Sequence, residues 1–115
     1  MENLSTPSEK AISQILQEVD FKDRIIGYSI NFRSGPDRIS LYSLEEVFAL
    51  LNAPYPQIDF NQLTMWVRDV IGDEELAVRI KTVIVQEASD RDTVLRIREL
   101  IGWRLIQCER LCYHS

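Results

Sequence analysis

The segment that begins at Ser89 constrains the fold most strongly, because its apolar residues recur at the spacing of a long α-helix. Ser89 with Asp92 three positions later has the pattern of an N-cap, which gives this helix a defined start. Projection at about 100° per residue places eight residues on one broad face. They are Val94, Ile97, Leu100, Ile101, Leu105, Cys108, Leu111 and Cys112. A face this wide has to be buried, so other elements of the chain must pack on it.

The same helix carries a second, narrower apolar stripe formed by Leu95, Ile106 and Tyr113, with Gly102 beside it. Trp103 projects from a side that is otherwise charged or polar, with Arg96, Glu99, Gln107 and Arg110. Two apolar faces and a tryptophan exceed what the core of a 115-residue domain needs. We therefore expect part of this helix to contact a partner.

Arg104 falls within the broad apolar face, between Leu100 and Cys108. A guanidinium is too costly to bury alone. It therefore either extends to water or pairs with a carboxylate of an acidic helix, such as Asp69 or Glu87, or else it anchors an interface. The interface candidates are Leu95, Trp103, Arg104, Ile106 and Tyr113.

Capping patterns predict the starts of three earlier helices. They are Thr6-Pro7-Ser8-Glu9, Ser43-Leu44-Glu45-Glu46 and Asp59 with Gln62. The first predicts a helix over about Pro7–Val19, with proline at the first helical position. The second must end before Pro54, and Gly72 is placed to end the third.

The segment Leu76–Ala88 is compatible with two structures. Its β-branched residues alternate with charged ones, which is typical of a strand. The acidic run Asp73-Glu74-Glu75 before it suits a helix N-terminus, and the length of the segment also favours a helix. We therefore predict a helix here.

Period-two alternation predicts a β-hairpin that pairs Ile25–Arg33 with Arg38–Tyr42 around the turn residues Ser34-Gly35-Pro36-Asp37. We expect the face with Tyr28, Ile30 and Phe32 to pack on helices, because an isolated hairpin is only marginally stable. The stretch Asn52–Ile58, with two prolines, is predicted to be a loop.

These patterns predict a mainly α fold of the α+β class, with about five helices packed around one β-hairpin near residues 25–42. We expect one domain over residues 1–115, with residues 1–6 disordered. Cys108 and Cys112 are too close together to join distant parts of the chain, and neither a signal peptide nor a membrane-spanning run is recognisable. A cytoplasmic location is the expectation.

The sequence offers no credible catalytic constellation, so we do not expect an enzyme. His114 is the only histidine, and it lies one residue from the end of the sequence. Cys108, Cys112 and His114 could be proposed as metal ligands, but cysteines on an apolar helix face are more often core residues. No cofactor or metal is expected.

Arg33 and Arg38 flank the hairpin turn and are candidates for binding an anion. With Lys22 and Arg24 they give the stretch 22–38 a basic character, which favours a nucleic-acid-associated regulator as the alternative function. The formal net charge of −5 weighs against it, because acidic helices repel phosphates. The leading hypothesis is a small intracellular protein-interaction or regulatory module. It would self-associate through its C-terminal helix, as a homodimer, and the alternative partner is another protein.

Overall fold

Five α-helices and a three-stranded antiparallel sheet form the part of the chain that the structure, a computed structural model, describes. The described residues are 4–31, 33 and 35–113, without the side chains of residues 31, 112 and 113. In chain order the elements are α1 (Glu9–Leu16), β1 (Ile25–Asn31), β2 (Gly35–Leu41), α2 (Leu44–Leu51), β3 (Pro56–Ile58), α3 (Phe60–Trp66), α4 (Glu74–Gln86) and α5 (Asp90–Tyr113). A single 3₁₀ turn, Phe21–Asp23, precedes β1, and a π-helical turn, Val67–Ile71, continues α3. The predicted mainly helical α+β class is confirmed.

The predicted caps of α2, α3 and α5 are confirmed. The Ser43 hydroxyl accepts a hydrogen bond from the Glu46 amide at 3.2 Å, and Asp59 accepts from two amides at the start of α3. Ser89 accepts from the Asp92 amide at 3.2 Å. These side chains satisfy amides that have no partner within the helix, which is why the helices begin where they do.

The first helix is shorter than predicted at both ends. Its N-cap is Ser8, not Thr6, because the Ser8 hydroxyl accepts the Ala11 amide at 3.1 Å. At the other end α1 stops at Leu16, and the Val19 amide donates instead to the carbonyl of Tyr42, at 2.6 Å. The chain beyond Leu16 thus pairs with the segment that follows β2.

The segment over 76–88, for which a strand was the alternative, is helical as far as Gln86: α4 begins after Asp73, whose carboxylate accepts the Leu76 amide at 3.1 Å. The predicted helix is therefore confirmed there. Its buried stripe includes Leu76, Ile80 and Val83, while the β-branched Val85 points to solvent and is 79% exposed. Of the residues that gave the strand-like alternation, Val78 and Thr82 are exposed, whereas Ile80 belongs to the core.

The sheet has one more strand than the hairpin predicted. The strand order is β2-β1-β3, and the short β3 pairs with β1 so that Gly27 faces Ile58. β3 lies in the stretch 52–58, for which we predicted a loop, and that prediction is wrong for Pro56–Ile58. Pro56 is tolerated because β3 is an edge strand, where a missing amide donor does not interrupt the sheet.

The face of β1 that packs on the helices is the opposite of the one predicted. Ile25 and Gly27 are buried, whereas Tyr28 is 40% exposed, and Phe32 lies outside the described residues. A methyl group at Gly27 would collide with the side chain of Leu50 in α2. Because Gly27 has no side chain, α2 packs directly on the backbone of β1, and this contact sets the face.

The broad apolar face of α5 forms the centre of the core, as predicted from its periodicity. Its buried residues include Ile97, Leu100, Ile101, Leu105 and Cys108. They join side chains from every other helix and from β1 and β2 in one hydrophobic cluster. Among the described residues, no helix has the length and apolar character needed to cross a bilayer.

Candidate functional site

The outward face of α5, defined by Leu95, Gly102, Trp103 and Ile106, is the candidate functional site. Leu95 is 37% exposed and Ile106 is 41% exposed, although the opposite side of the same helix is completely buried. Trp103 is half-buried. The prediction that Leu95 and Ile106 form a second apolar stripe therefore agrees with where the structure places them, while the side chain of Tyr113 lies outside the described residues.

Gly102 provides the floor of this face, because the ring of Phe48 in α2 packs on it. A Cβ atom at position 102 would lie 3.0 Å from Phe48 Cε1, which is closer than side chains normally approach. Beside this contact is a shallow hollow of about 500 Å³. It is lined by Phe48, Arg96, Arg98, Glu99, Gly102, Trp103 and Ile106. An apolar centre with a charged rim is the usual make-up of a protein–protein contact surface.

Arg104 does not belong to this outward face, because it is buried and only 3% exposed. Its guanidinium forms a two-point ion pair with Asp73, with Nε 2.8 Å from Oδ2 and Nη2 3.2 Å from Oδ1. Nη2 also donates to Glu75 Oε1 at 2.7 Å. Of the two alternatives weighed for Arg104, the structure shows the intramolecular ion pair. An interface role would require this network to open.

The partners of Arg104 are not the ones suggested by the sequence. Asp69 instead pairs with its neighbour Arg68, with 2.9 Å between Asp69 Oδ1 and Arg68 Nε. Asp73 reaches Arg104 because it caps α4 at the end that packs beside α5. One Asp73 carboxylate thus serves both as a helix cap and as a counter-ion.

The same guanidinium holds the N-terminal segment of the described chain. Arg104 Nη1 donates to the carbonyl oxygen of Ser5 at 2.7 Å, and Gln107 Nε2 donates to that of Leu4 at 2.9 Å. Glu75 completes the contact by accepting from both the amide and the hydroxyl of Ser5. Leu4 and Ser5 fall within the stretch 1–6, for which we expected disorder, yet both have defined partners.

Two groups around this network have shifted pKa values. Hydrogen bonds from Ser5, and then from Arg104, hold the pKa of the Glu75 carboxyl below its ordinary value, although partial burial acts in the opposite direction. Burial raises the pKa of the Cys108 thiol to about 11, despite the nearby Arg104 charge. Cys108 is therefore a protonated core residue at neutral pH.

The chemistry-bearing residues that remain are scattered. Among the described residues, no group of three or more histidine, cysteine or acidic side chains could hold a metal ion. Arg33 and Arg38 are both exposed at the hairpin, and Arg38 lies opposite Tyr28 in the register of β1 and β2. Anion binding by Arg33 and Arg38, and the nucleic-acid alternative built on 22–38, stay predictions that a salt-dependent gel-shift series would test.

A second hollow, of about 770 Å³, was not foreseen from the sequence. It lies between the first turns of α5, the end of α2 and β3, and Arg91, Arg98 and Tyr55 contribute to its wall. Arg91 and Arg98 are seven residues apart, and this spacing places both on one side of a helix. The sequence alone could therefore have indicated that these two arginines lie near each other. The opposite wall could not be foreseen, because it includes β3, which the sequence presents as a loop.

Fold and surface together define a mainly helical α+β protein whose longest helix buries one face and exposes part of the other. Neither a protein family nor a curated protein nor a solved structure matches this chain.

Proposed function

We propose that this protein is an interaction module that self-associates as a twofold dimer through the outward face of α5. The observation that carries the proposal is the exposure of Leu95 and Ile106 on a helix whose other side already fills the core. Burying apolar side chains of this size stabilises an association by removing their surface from water. Trp103, half-buried beside the Gly102 floor, offers the kind of aromatic anchor found at the centres of interfaces.

The charges along α5 support a second copy of the chain as the partner. Arg91 and Glu109 are 18 residues apart, which is five helical turns, so both lie on one side of the helix. Asp92 and Arg110 have the same separation and share another side. All four side chains are exposed. In each pair, residues of opposite charge therefore lie at opposite ends of the same edge.

This arrangement fits an antiparallel pairing of two α5 helices. A twofold axis that passes near the middle of α5 brings the first turns of one helix beside the last turns of the other. Arg91 of each copy would then lie beside the partner's Glu109, and Asp92 beside the partner's Arg110. Paired opposite charges at the rim favour this register over a parallel one.

The decisive experiment is sedimentation equilibrium of the full chain at micromolar concentration, for the wild type and for Ile106→Glu. We expect a dimer for the wild type and a monomer for the variant, because a carboxylate would be buried without a partner in the interface. Val85→Glu is the matched control: it places the same charge on an exposed valine of α4 and should leave the dimer intact. A monomeric wild type, or a dimer that survives Ile106→Glu with unchanged affinity, would overturn the proposal.

A further inference from the structure

Arg98 is a cation in the wall of an apolar hollow, and none of the described residues serves as its counter-ion. Its side chain is half-buried. Within the described part of the chain it forms neither a hydrogen bond nor an ion pair, in contrast to the fully bonded Arg104. A partly desolvated guanidinium gains most from an anion that can accept its N–H groups.

The hollow beside Arg98 has the size and lining of a small-molecule site. Its volume of about 770 Å³ lies within the range of ligand pockets, roughly 300–1,000 Å³. Its apolar wall consists of Ile30, Leu51, Ile58, Phe60, Val94 and Leu95. An apolar wall with a few charged groups at one side fixes both the body and the head group of a ligand.

The balance of charge around the hollow is positive. Arg91 and Arg98 face one acidic residue, Asp90, among the residues that line it. Asp90 is exposed at the first turn of α5, where the helix dipole already stabilises a carboxylate. The lining therefore retains an excess of one positive charge next to apolar surface.

The rim of the hollow contains a strained residue. Tyr55 has φ = 50°, a left-handed conformation that is uncommon for a bulky side chain, and its ring is 61% exposed. Backbone strain of this kind concentrates at ligand-binding positions, because the surrounding structure has to maintain it. The conformation leaves an aromatic ring at the entrance to an apolar cavity.

We propose that this hollow binds a small organic anion that has an extended apolar body and a carboxylate or phosphate head, with Arg98 as the residue that binds the head group. The apolar body lies against β3 and the end of α2, and Arg91 contributes charge at the entrance. The proposal rests on Arg98 and the hollow and does not require the proposed dimer, although Arg91 and Leu95 belong to both surfaces.

Isothermal titration calorimetry with decanoate and with decyl phosphate tests the proposal on the full chain, and the tighter of the two identifies the preferred head group. Decanol is the uncharged probe of the same length. We expect at least one of the anions to bind about tenfold or more tightly than decanol, which corresponds to about 1.4 kcal/mol, because only an anion can accept a charge-assisted hydrogen bond from Arg98. Equal affinity for decanol and the anions, or no binding of either anion, would overturn the proposal.

Substitutions then locate the site. Arg98→Gln should weaken anion binding about tenfold, and Arg98→Lys should recover part of the loss because it restores the charge without the two-point geometry. Arg38→Gln, at an exposed arginine of β2, is the matched control and should bind like the wild type. Loss of binding in Arg38→Gln with none in Arg98→Gln would place the anion at the hairpin instead and refute the assignment.

A second variant tests the cavity rather than the charge. Ala53→Trp adds a large side chain to the wall while keeping Arg98, so both decanoate and decanol should lose affinity. Circular dichroism and thermal unfolding establish that each variant is folded. Undiminished binding by a folded Ala53→Trp protein would count against this hollow as the site.

Discussion

Arg104 illustrates how a buried charge is accommodated when its partners come from distant parts of the chain. Asp73 and Glu75 supply negative charge, and Ser5 and Gln107 supply neutral oxygen atoms. Such a network stabilises little relative to an apolar core, but removal of one partner leaves a buried charge and typically costs about 3–5 kcal/mol. The network therefore specifies how the N-terminal segment, α4 and α5 are placed relative to one another more than it adds to the stability of the fold.

The Glu75 carboxyl makes this network sensitive to acid. Because its pKa is lowered in the folded protein, Glu75 contributes stability that is present above its unfolded pKa and is lost as the pH falls through the folded value. We predict that the free energy of unfolding of the wild type, measured by urea denaturation, falls more steeply below about pH 4.5 than that of Glu75→Gln. Ser5→Ala should reduce the slope in part, because Ser5 is the largest cause of the shift. An unchanged acid slope in Glu75→Gln would contradict this account.

The elements show which parts of the fold could be predicted from local sequence. The starts of α2, α3 and α5 depend on a capping side chain that accepts an amide two or three positions further along, so capping patterns identified them. The exposed stripe with Leu95 and Ile106 followed from helical periodicity alone. The residues that form each of these patterns lie close together in the sequence, so the patterns can be recognised without knowing the fold.

The features that escaped prediction depend on contacts between elements. Ile26, Tyr28 and Ile30 are the more apolar side of β1, yet the side with Gly27 is buried because α2 packs against it. β3 is three residues long and too short to show a period, so its pairing with β1 is visible only in three dimensions. The ion pairs of Arg104 also join distant elements, so the sequence could not show which of the many acidic residues would be its partners.

Gly27 gives the contact between β1 and α2 a direct test. Gly27→Ala would force the added methyl group against Leu50, and we predict a loss of about 1–3 kcal/mol in the free energy of unfolding. In a Leu50→Ala background the same substitution should cost much less, because the obstructing side chain is gone. Chemical denaturation of the four proteins forms a double-mutant cycle. Additive losses would mean that Leu50 does not determine the cost at Gly27.

At the scale of the whole molecule, α5 is both the centre of the core and the proposed contact surface. Its inner face is joined to all the other helices through the hydrophobic cluster, so the outer face is held in a fixed orientation. A rigid surface loses little conformational freedom on association. We therefore expect the modest exposed apolar area to suffice for the proposed dimer, with the charges at its rim setting the register.

That register can be tested by exchanging charges. Arg91→Glu and Glu109→Arg should each weaken the dimer, because each places like charges opposite one another in an antiparallel pair. The double variant should restore association, since each pair again has opposite signs. Arg91→Glu places a negative charge near the N-terminus of α5 and Glu109→Arg places a positive charge near its C-terminus. The helix dipole favours both changes, so neither should lower the stability of the folded chain. Sedimentation equilibrium of the four proteins measures the effect, and a double variant weaker than either single one would exclude the antiparallel register.

The bond between Arg104 and the Ser5 carbonyl also has a consequence for how the protein is made. Its two partners are separated by 99 positions, and at about 5–20 residues per second a ribosome needs roughly 5–20 s to synthesise the intervening chain. Throughout that time Ser5 lacks its partner in α5. The apolar residues of the other helices, which pack on α5 in the folded protein, lack that contact as well. The nascent chain therefore has no complete core until α5 has been synthesised, and we expect this domain to fold only after α5 has left the ribosome.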